Sequence, residues 1–150
     1  MPHRHLFLDL HEVTRLEGLH RQLHAPHRHS DNPVLTCEHP WEDRVSLYGT
    51  VLREPADGLF RMWYLTGPAR EGFVQVRGRR ALANVTLLGY AASSDGIHWH
   101  KPLLHQVDYE GSTRNNLVDV GRTNCEGFAV LRDPGDPDPV SAGPTAPPTR

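Results

Sequence analysis

The sequence predicts an all-β fold of short antiparallel strands, preceded by a leader that contains a short helix. From residue 45 onward, apolar and aromatic side chains recur with a period of two, which is typical of strands. The dipeptides Asp57-Gly58 and Asp95-Gly96 stand between such runs, and hairpin turns favour this pair of residues. The 13 glycines and 13 prolines among 150 residues also favour short elements joined by many turns.

The leader, residues 1–30, holds most of the eleven histidines, and a short helix is predicted at residues 13–23. Its apolar positions recur at helical spacing: Leu16, Leu19 and Leu23. His20 and His24 would share one face of this helix. Zinc needs three or four supported ligands, however, and the next histidines lie beyond Pro26. We therefore expect solvated histidines, no metal site and no cofactor.

Four strands are predicted from the alternation, and they would pair consecutively as an antiparallel meander. Their bounds are residues 45–53, 59–66, 86–93 and 97–100. The second run, LFRMWYLT, carries large apolar side chains on both sides, which favours a strand buried between two layers. Pro102 ends the fourth strand because proline cannot donate a ladder hydrogen bond. Four such strands have the size of one propeller blade.

Three further segments surround or follow the meander. Residues 67–85 carry the arginines 77, 79 and 80 and are predicted to form a solvated loop, with anion binding by this basic cluster as the alternative. Two short apolar runs, residues 116–120 and 127–133, indicate the start of a second sheet. Residues 134–150 are rich in proline and cannot pair as strands, so we expect a disordered tail there.

Composition and short motifs exclude several classes of partner and reaction. The formal charge of -2 and the pI near 6.6 give no general attraction to polyanions, so nucleic acid is not an expected partner. No window approaches the roughly 18 apolar residues of a membrane span. The apolar run at Leu6 is broken at Asp9, whereas a secretory signal needs about 7–15 apolar residues, so we expect a cytoplasmic protein.

Cys37 and Cys125 fit no metal or redox spacing, and free thiols are expected in preference to a disulfide. The sequence contains no Gly-x-Ser-x-Gly motif and no glycine loop that would cradle a phosphate. Acyl transfer and phosphoryl transfer are therefore not predicted.

Five segments, in this order along the chain, carry a family resemblance: NPVL (32–35), PWE (40–42), GLFRMWY (58–64), YAASSDGIHW (90–99) and YEGSTRNN (109–116). Together they resemble the N-terminal part of bacterial glycoside-hydrolase-like proteins, which are related to the five-bladed propeller enzymes of glycoside hydrolase families 32 and 43. The resemblance covers about residues 6–133. It implies that residues 31–133 form part of a five-bladed β-propeller, with blade one at about residues 45–100 and the start of blade two at about 116–133.

Propeller blades take roughly 40–50 residues each, so a closed five-bladed ring needs about 200 residues or more. Residues 40–133 hold at most two blades. We therefore expect an incomplete propeller, from a truncated or frame-shifted gene, that is too short to be active alone. An open sheet edge in such a fragment also predicts self-association.

The resemblance implies hydrolysis of glycosidic bonds in oligosaccharides or polysaccharides. One carboxylic acid protonates the leaving oxygen while a second carboxylate attacks or activates water, and different blades contribute the two groups. The candidate catalytic carboxylates stand just before predicted strands: Glu42, Asp43 and Glu126. The candidate substrate-binding residues lie in the resembling segments or beside them: Asn32, Trp41, Arg61, Asn115 and Asn116. Trp41 offers an aromatic face on which a sugar ring can stack.

Structural interpretations of the same residues stay open. Glu42 and Asp43 also fit a solvated charged pair at a strand entrance, with Trp41 filling the core, and the asparagine pair fits turn chemistry. Asp95 fits a turn requirement alone. The alternative function is a non-catalytic module that binds carbohydrate or another protein through an aromatic platform at Trp41, Tyr64 or Trp99.

Overall fold

The computed structural model describes residues 9–11, 13–133 and 135. The chain divides into two compact units, Met1–Ser30 and Asp31–Arg150. The described residues contain no helix and have these strands: β1 (Ser46–Arg53), β2 (Phe60–Thr66), β3 (Phe73–Val76), β4 (Arg79–Leu82) and β5 (Leu87–Ser93). The predicted all-β class is therefore confirmed. The predicted disordered tail, residues 134–150, lies outside the described residues apart from Gly135.

In the first unit, the prediction of a helix at residues 13–23 is wrong. This segment has no regular secondary structure, and Gly18 adopts a positive φ of 64° that a right-handed helix does not use. Leu19 and Leu23, expected on the apolar face, are exposed. An isolated helix this short is marginal in water unless its apolar face is packed, and these side chains provide no such packing.

In the second unit, β1, β2 and β5 form a three-stranded antiparallel sheet in the order β1-β2-β5. In β1, a register irregularity lies between Ser46, paired with Leu65, and Thr50, paired with Trp63. The β2–β5 ladder is regular from Phe60–Ser93 to Thr66–Leu87. Consecutive antiparallel pairing is as predicted, but this sheet has three strands instead of four.

β2 is buried on both faces, as its sequence predicts. Trp63 and Leu65 pack on one face in a cluster with Leu88, Tyr90, Ala92 and Val118. Met62 and Tyr64 pack on the other face with Ala91. The burial leaves little free space, because a Cβ added at Gly89 would lie 2.5 Å from Cζ of Tyr64.

The segment at residues 67–85 is not the predicted loop: β3 and β4 pair there as a second antiparallel sheet. Arg77 and Gly78 form its two-residue turn, and both have positive φ, the pattern of a type I′ hairpin. Val74 and Val76 point from β3 into a third apolar cluster, which includes Val107, Tyr109 and Leu117. Alternating valines on a short strand thus outweigh the basic composition of the segment.

The predicted fourth strand, residues 97–100, is reduced to a single bridge between Ala92 and His100. Trp99 donates its indole N–H back to the carbonyl of Gly96 at 3.0 Å, so the chain is still turning where the strand was expected. The predicted second sheet at residues 116–133 is also not observed. Leu117 instead bridges Gly89 of β5, while Val130 donates its amide to Oγ1 of Thr50.

The described residues therefore form two small antiparallel sheets without a closed barrel, and the five-bladed propeller stays a prediction. Among these residues no helix has the length and apolarity to cross a bilayer. Cys37 and Cys125 are both free thiols, as expected.

Candidate functional site

Residues 40–42, the segment PWE, lie just before β1. Glu42 is buried there, with 2% of its surface exposed. Oε1 accepts a hydrogen bond from the hydroxyl of Tyr64 at 2.6 Å. Oε2 accepts from the backbone amides of Glu38, at 2.8 Å, and His39, at 3.2 Å. The ammonium group of Lys101 lies 2.8 Å from the same oxygen.

Lys101 completes a buried ion pair with Glu42, and its side chain is only 3% exposed. Its ammonium group also donates to the carbonyl of Thr36 at 2.6 Å and lies 3.4 Å from Oε2 of Glu38. Three acceptors therefore surround a group that has three donors. Of the 16 lysine and arginine residues in the chain, Lys101 is the only lysine.

The network continues from Tyr64 to Asn116, which is 1% exposed. The side-chain amide of Asn116 donates to the Tyr64 hydroxyl at 2.6 Å and to the carbonyl of Tyr90 at 2.8 Å. Its Oδ1 accepts the indole N–H of Trp41 at 2.8 Å. Three residues predicted to act on substrate therefore belong to one network, in which Asn116 bonds directly to Trp41 and Tyr64 links Asn116 to Glu42.

The electrostatics of this network keep Glu42 ionised. Burial alone would raise the pKa of Glu42, but hydrogen bonds from Lys101, Tyr64 and the amide of Glu38 outweigh it and lower the pKa. Burial and the neighbouring carboxylate raise the pKa of Tyr64, which stays neutral. A general acid needs a raised pKa and access to substrate. The geometry therefore favours a structural role for Glu42.

Asp43 turns outward beside Glu42. Its amide donates to the carbonyl of Gly67 at 2.7 Å, and its carboxylate forms an ion pair with Arg44 at 2.8 Å. Arg44 also donates to Oγ1 of Thr86 at 3.0 Å, so the guanidinium group is fixed between two partners.

Arg44 and Glu126 both line an open cavity of about 590 Å³, which we call the β1 cavity. The other lining residues are Ser46, Tyr48, Leu65, Thr86 and Gly127. Tyr48 is 72% exposed, so its ring is available at the rim. The β1 cavity thus combines an accessible aromatic ring, a fixed cation and a carboxylate, of which only Glu126 was predicted from the sequence.

The remaining predicted residues lie elsewhere or serve the backbone. Asn115 is buried and donates to the carbonyls of Val107, at 2.8 Å, and Ser112, at 3.2 Å, which is the turn chemistry considered above. Arg61 forms an ion pair with Asp57 at 2.6 Å. Asn32 is exposed in the segment that leads to Trp41.

The three aromatic residues considered as platforms are not equivalent. Tyr64 has no exposed surface, so it cannot serve as one. Trp41 is half-buried, stacked on His39 with ring centroids 4.6 Å apart and packed edge-on against Tyr109. Trp99 is also half-buried and packs against the cluster of Met62, Tyr64 and Ala91.

Sequence reasoning missed Lys101, Arg44 and Tyr48. Lys101 is the single lysine among the basic residues of the chain, but nothing in the sequence around it indicates that its side chain is buried. Among the described residues, no group of three or more histidine, cysteine, aspartate or glutamate side chains is arranged to hold a metal ion.

Comparison of the chain with models of protein families, with curated proteins and with solved structures gives no match.

Proposed function

We propose that this chain is a carbohydrate-binding module of the glycoside-hydrolase propeller type, with the β1 cavity as its saccharide subsite. The observation that carries the proposal is the meeting of Tyr48, Arg44 and Glu126 around one open cavity of about 590 Å³. This volume lies within the usual range of ligand sites, roughly 300–1,000 Å³. The family resemblance supplies the class of ligand.

The lining groups suit a sugar. The accessible ring of Tyr48 offers an apolar face for the C–H side of a pyranose or furanose, and its hydroxyl remains in water. The guanidinium of Arg44 and the carboxylate of Glu126 supply charged donors and acceptors, which form stronger hydrogen bonds with hydroxyl groups than neutral ones do.

Two features of the sheet support the propeller part of the proposal. Its strands are all antiparallel, as in a blade, although the β3–β4 hairpin lies between β2 and β5 in the chain, and β2 is buried on both faces, as a blade packed between neighbours is.

Hydrolysis would require a second carboxylate opposite Glu126. Of the other predicted carboxylates, Glu42 is occupied by the buried network and Asp43 is paired with Arg44. We therefore propose binding as the activity of the described residues, with Glu126 as the carboxylate that faces the ligand.

The test is a titration of the isotope-labelled chain with neutral oligosaccharides of arabinan, fructan and mannan type, followed by NMR. We expect saturable shifts for residues around the β1 cavity, lost in Tyr48→Ala and weakened in Glu126→Gln. Glu71→Gln is the matched control, since Glu71 is an exposed carboxylate that does not line the β1 cavity. Absence of binding to every oligosaccharide would refute the proposal. Release of reducing sugar that Glu126→Gln abolishes would extend it to catalysis.

A second candidate function, self-association, rests on β1. Among the described residues, no strand pairs with the outer edge of β1. Three large apolar side chains of β1 are also exposed: Leu47, Tyr48 and Val51. Such an edge is a template for another strand. We expect the weight-average mass to rise with concentration in sedimentation experiments, and Val51→Lys to suppress this rise. A mass that stays monomeric at all concentrations would remove this candidate.

A further inference from the structure

A second open cavity, of about 510 Å³, lies where the β3–β4 turn meets the loop after Leu117. We call it the arginine cavity, and its lining residues are Arg77, Arg79, Gly121, Arg122, Thr123 and Asn124. None of these residues lines the β1 cavity, so an inference about the arginine cavity does not rest on the function proposed above.

Both sides of the arginine cavity are anchored by backbone hydrogen bonds. On the hairpin side, Arg77 donates its amide to the carbonyl of Asp108 at 2.7 Å, and neighbouring Val76 bridges Tyr109. The two-residue turn therefore holds Arg77 and Arg79 at a fixed tip.

On the loop side, the backbone of Thr86 makes two hydrogen bonds to the loop. Its amide donates to Oδ1 of Asn124 at 2.7 Å, and its carbonyl accepts from the amide of Cys125 at 2.8 Å. Arg122 and Thr123 are thus carried on a loop tied to the start of β5. A site whose two walls are positioned before a ligand arrives loses less entropy on binding.

The charge of the arginine cavity is unbalanced. The Arg77 side chain is paired with Asp119, whereas the guanidinium groups of Arg79 and Arg122 have no hydrogen bond or ion pair among the described residues. The cavity therefore carries two uncompensated positive charges, although the whole chain has a formal charge of -2. A local excess of this sign attracts anions.

We propose that the arginine cavity binds the dianionic phosphate group of a small phosphorylated molecule, of the size of a sugar phosphate. Guanidinium groups match phosphate oxygens as planar forks of donors. A phosphate ester carries a charge of about -1.5 to -2 at neutral pH, which suits two unpaired cations better than a single carboxylate does. The hydroxyl of Thr123 adds a donor, and the volume leaves room for the organic part of the ligand.

The test is a calorimetric and NMR titration of the full chain with glucose 6-phosphate, inorganic phosphate, glucuronate and glucose. We expect saturable binding of the two phosphates, weaker binding of glucuronate and none of glucose at this cavity. Arg79→Gln and Arg122→Gln should each weaken phosphate binding on the order of tenfold, because each removes a charged hydrogen bond.

Arg114→Gln is the matched control, since it removes the same charge from an exposed arginine outside the cavity lining. Tyr48→Ala should leave phosphate binding unchanged, which separates this inference from the saccharide proposal. Arg122→Lys keeps the charge and should retain part of the affinity, so the test does not depend on one variant. Glucuronate binding as tightly as glucose 6-phosphate, an equal loss in Arg114→Gln, or no saturable phosphate binding would each overturn the inference.

Discussion

The ammonium group of Lys101 lies 2.8 Å from Oε2 of Glu42, and both side chains are almost completely removed from water. The two residues are 59 positions apart, so this pair connects the segment before β1 to the turn after β5. Breaking a buried ion pair leaves one charge uncompensated, which is far more costly than losing an exposed pair. The stability of the second unit therefore depends on this contact.

We predict that Lys101→Met destabilises the protein by about 3–5 kcal/mol, because it leaves the buried Glu42 carboxylate without its positive partner. Lys101→Arg should also destabilise it, since a planar guanidinium cannot reproduce the three-way coordination of the ammonium. Urea unfolding gives the free energies of unfolding. The double variant Glu42→Gln with Lys101→Met should cost less than the sum of the single variants. Additive costs would show that the two residues do not interact.

A second prediction concerns chemical labelling. Lys101 is the only lysine, and 3% of its side chain is exposed, so amine-reactive reagents should modify it slowly in the folded protein. Mass spectrometry of peptides containing Lys101 measures the rate, with the same chain in urea as the reference. Rapid labelling without denaturant would contradict the burial of this amine.

Acid should destabilise the protein through Glu42. The folded-state pKa of this carboxylate lies below its ordinary value of 4.5, so its contribution is present above that pH and is lost as the pH falls through the folded-state pKa. The free energy of unfolding should therefore decrease as the pH falls below 4.5. The control is Glu42→Gln, whose profile should be flatter. Identical profiles would mean that other groups cause the loss.

Two buried tyrosines on neighbouring strands form a matched pair. The hydroxyl of Tyr64 has two hydrogen-bond partners, whereas that of Tyr90 has none among the described residues. Tyr64→Phe should cost about 1–3 kcal/mol, because it leaves Glu42 and Asn116 short of a partner. Tyr90→Phe should be neutral or stabilising in the same urea experiment. Equal costs would contradict the difference in hydrogen bonding.

We predict that His98, which lies in the turn at Asp95, titrates at a higher pH than an ordinary histidine. His98 Nδ1 lies 2.7 Å from Oδ2 of Asp95, and this carboxylate raises the pKa of His98 above its ordinary 6.5. The resulting stabilisation is present below pH 6.5 and is lost as the pH rises through the folded-state pKa. NMR of the imidazole protons gives the midpoint. In Asp95→Asn the midpoint should fall toward 6.5, and an unchanged midpoint would show that the contact does not persist in solution.

Local patterns were sufficient for part of the fold. The alternation in LFRMWYLT predicts both the strand β2 and its burial on two faces, and the Asp95-Gly96 turn lies where its dipeptide indicates. The β3–β4 hairpin was missed because Arg77, a non-glycine residue, occupies a positive-φ position of its turn. The leader helix was predicted from spacing alone, although spacing cannot supply a packing partner.

The candidate site was only partly predictable, because its contacts join distant segments. Trp41 and Asn116, 75 positions apart, were both proposed as substrate-binding residues, yet their side chains bond to each other. Glu126 was proposed as catalytic, but its neighbours Arg44 and Tyr48 were not, since nothing in their local sequence distinguishes them from ordinary residues at the start of a strand.

By itself, the sequence determined the all-β class, the order of the three main strands and the presence of a turn at Asp95, because these depend on side-chain periodicity and local backbone preference. Only the tertiary structure decided what the charged residues do. Whether Glu42 meets water, substrate or Lys101 depends on how segments remote in sequence pack together, and burial then turns the same carboxylate from a candidate reagent into part of the core.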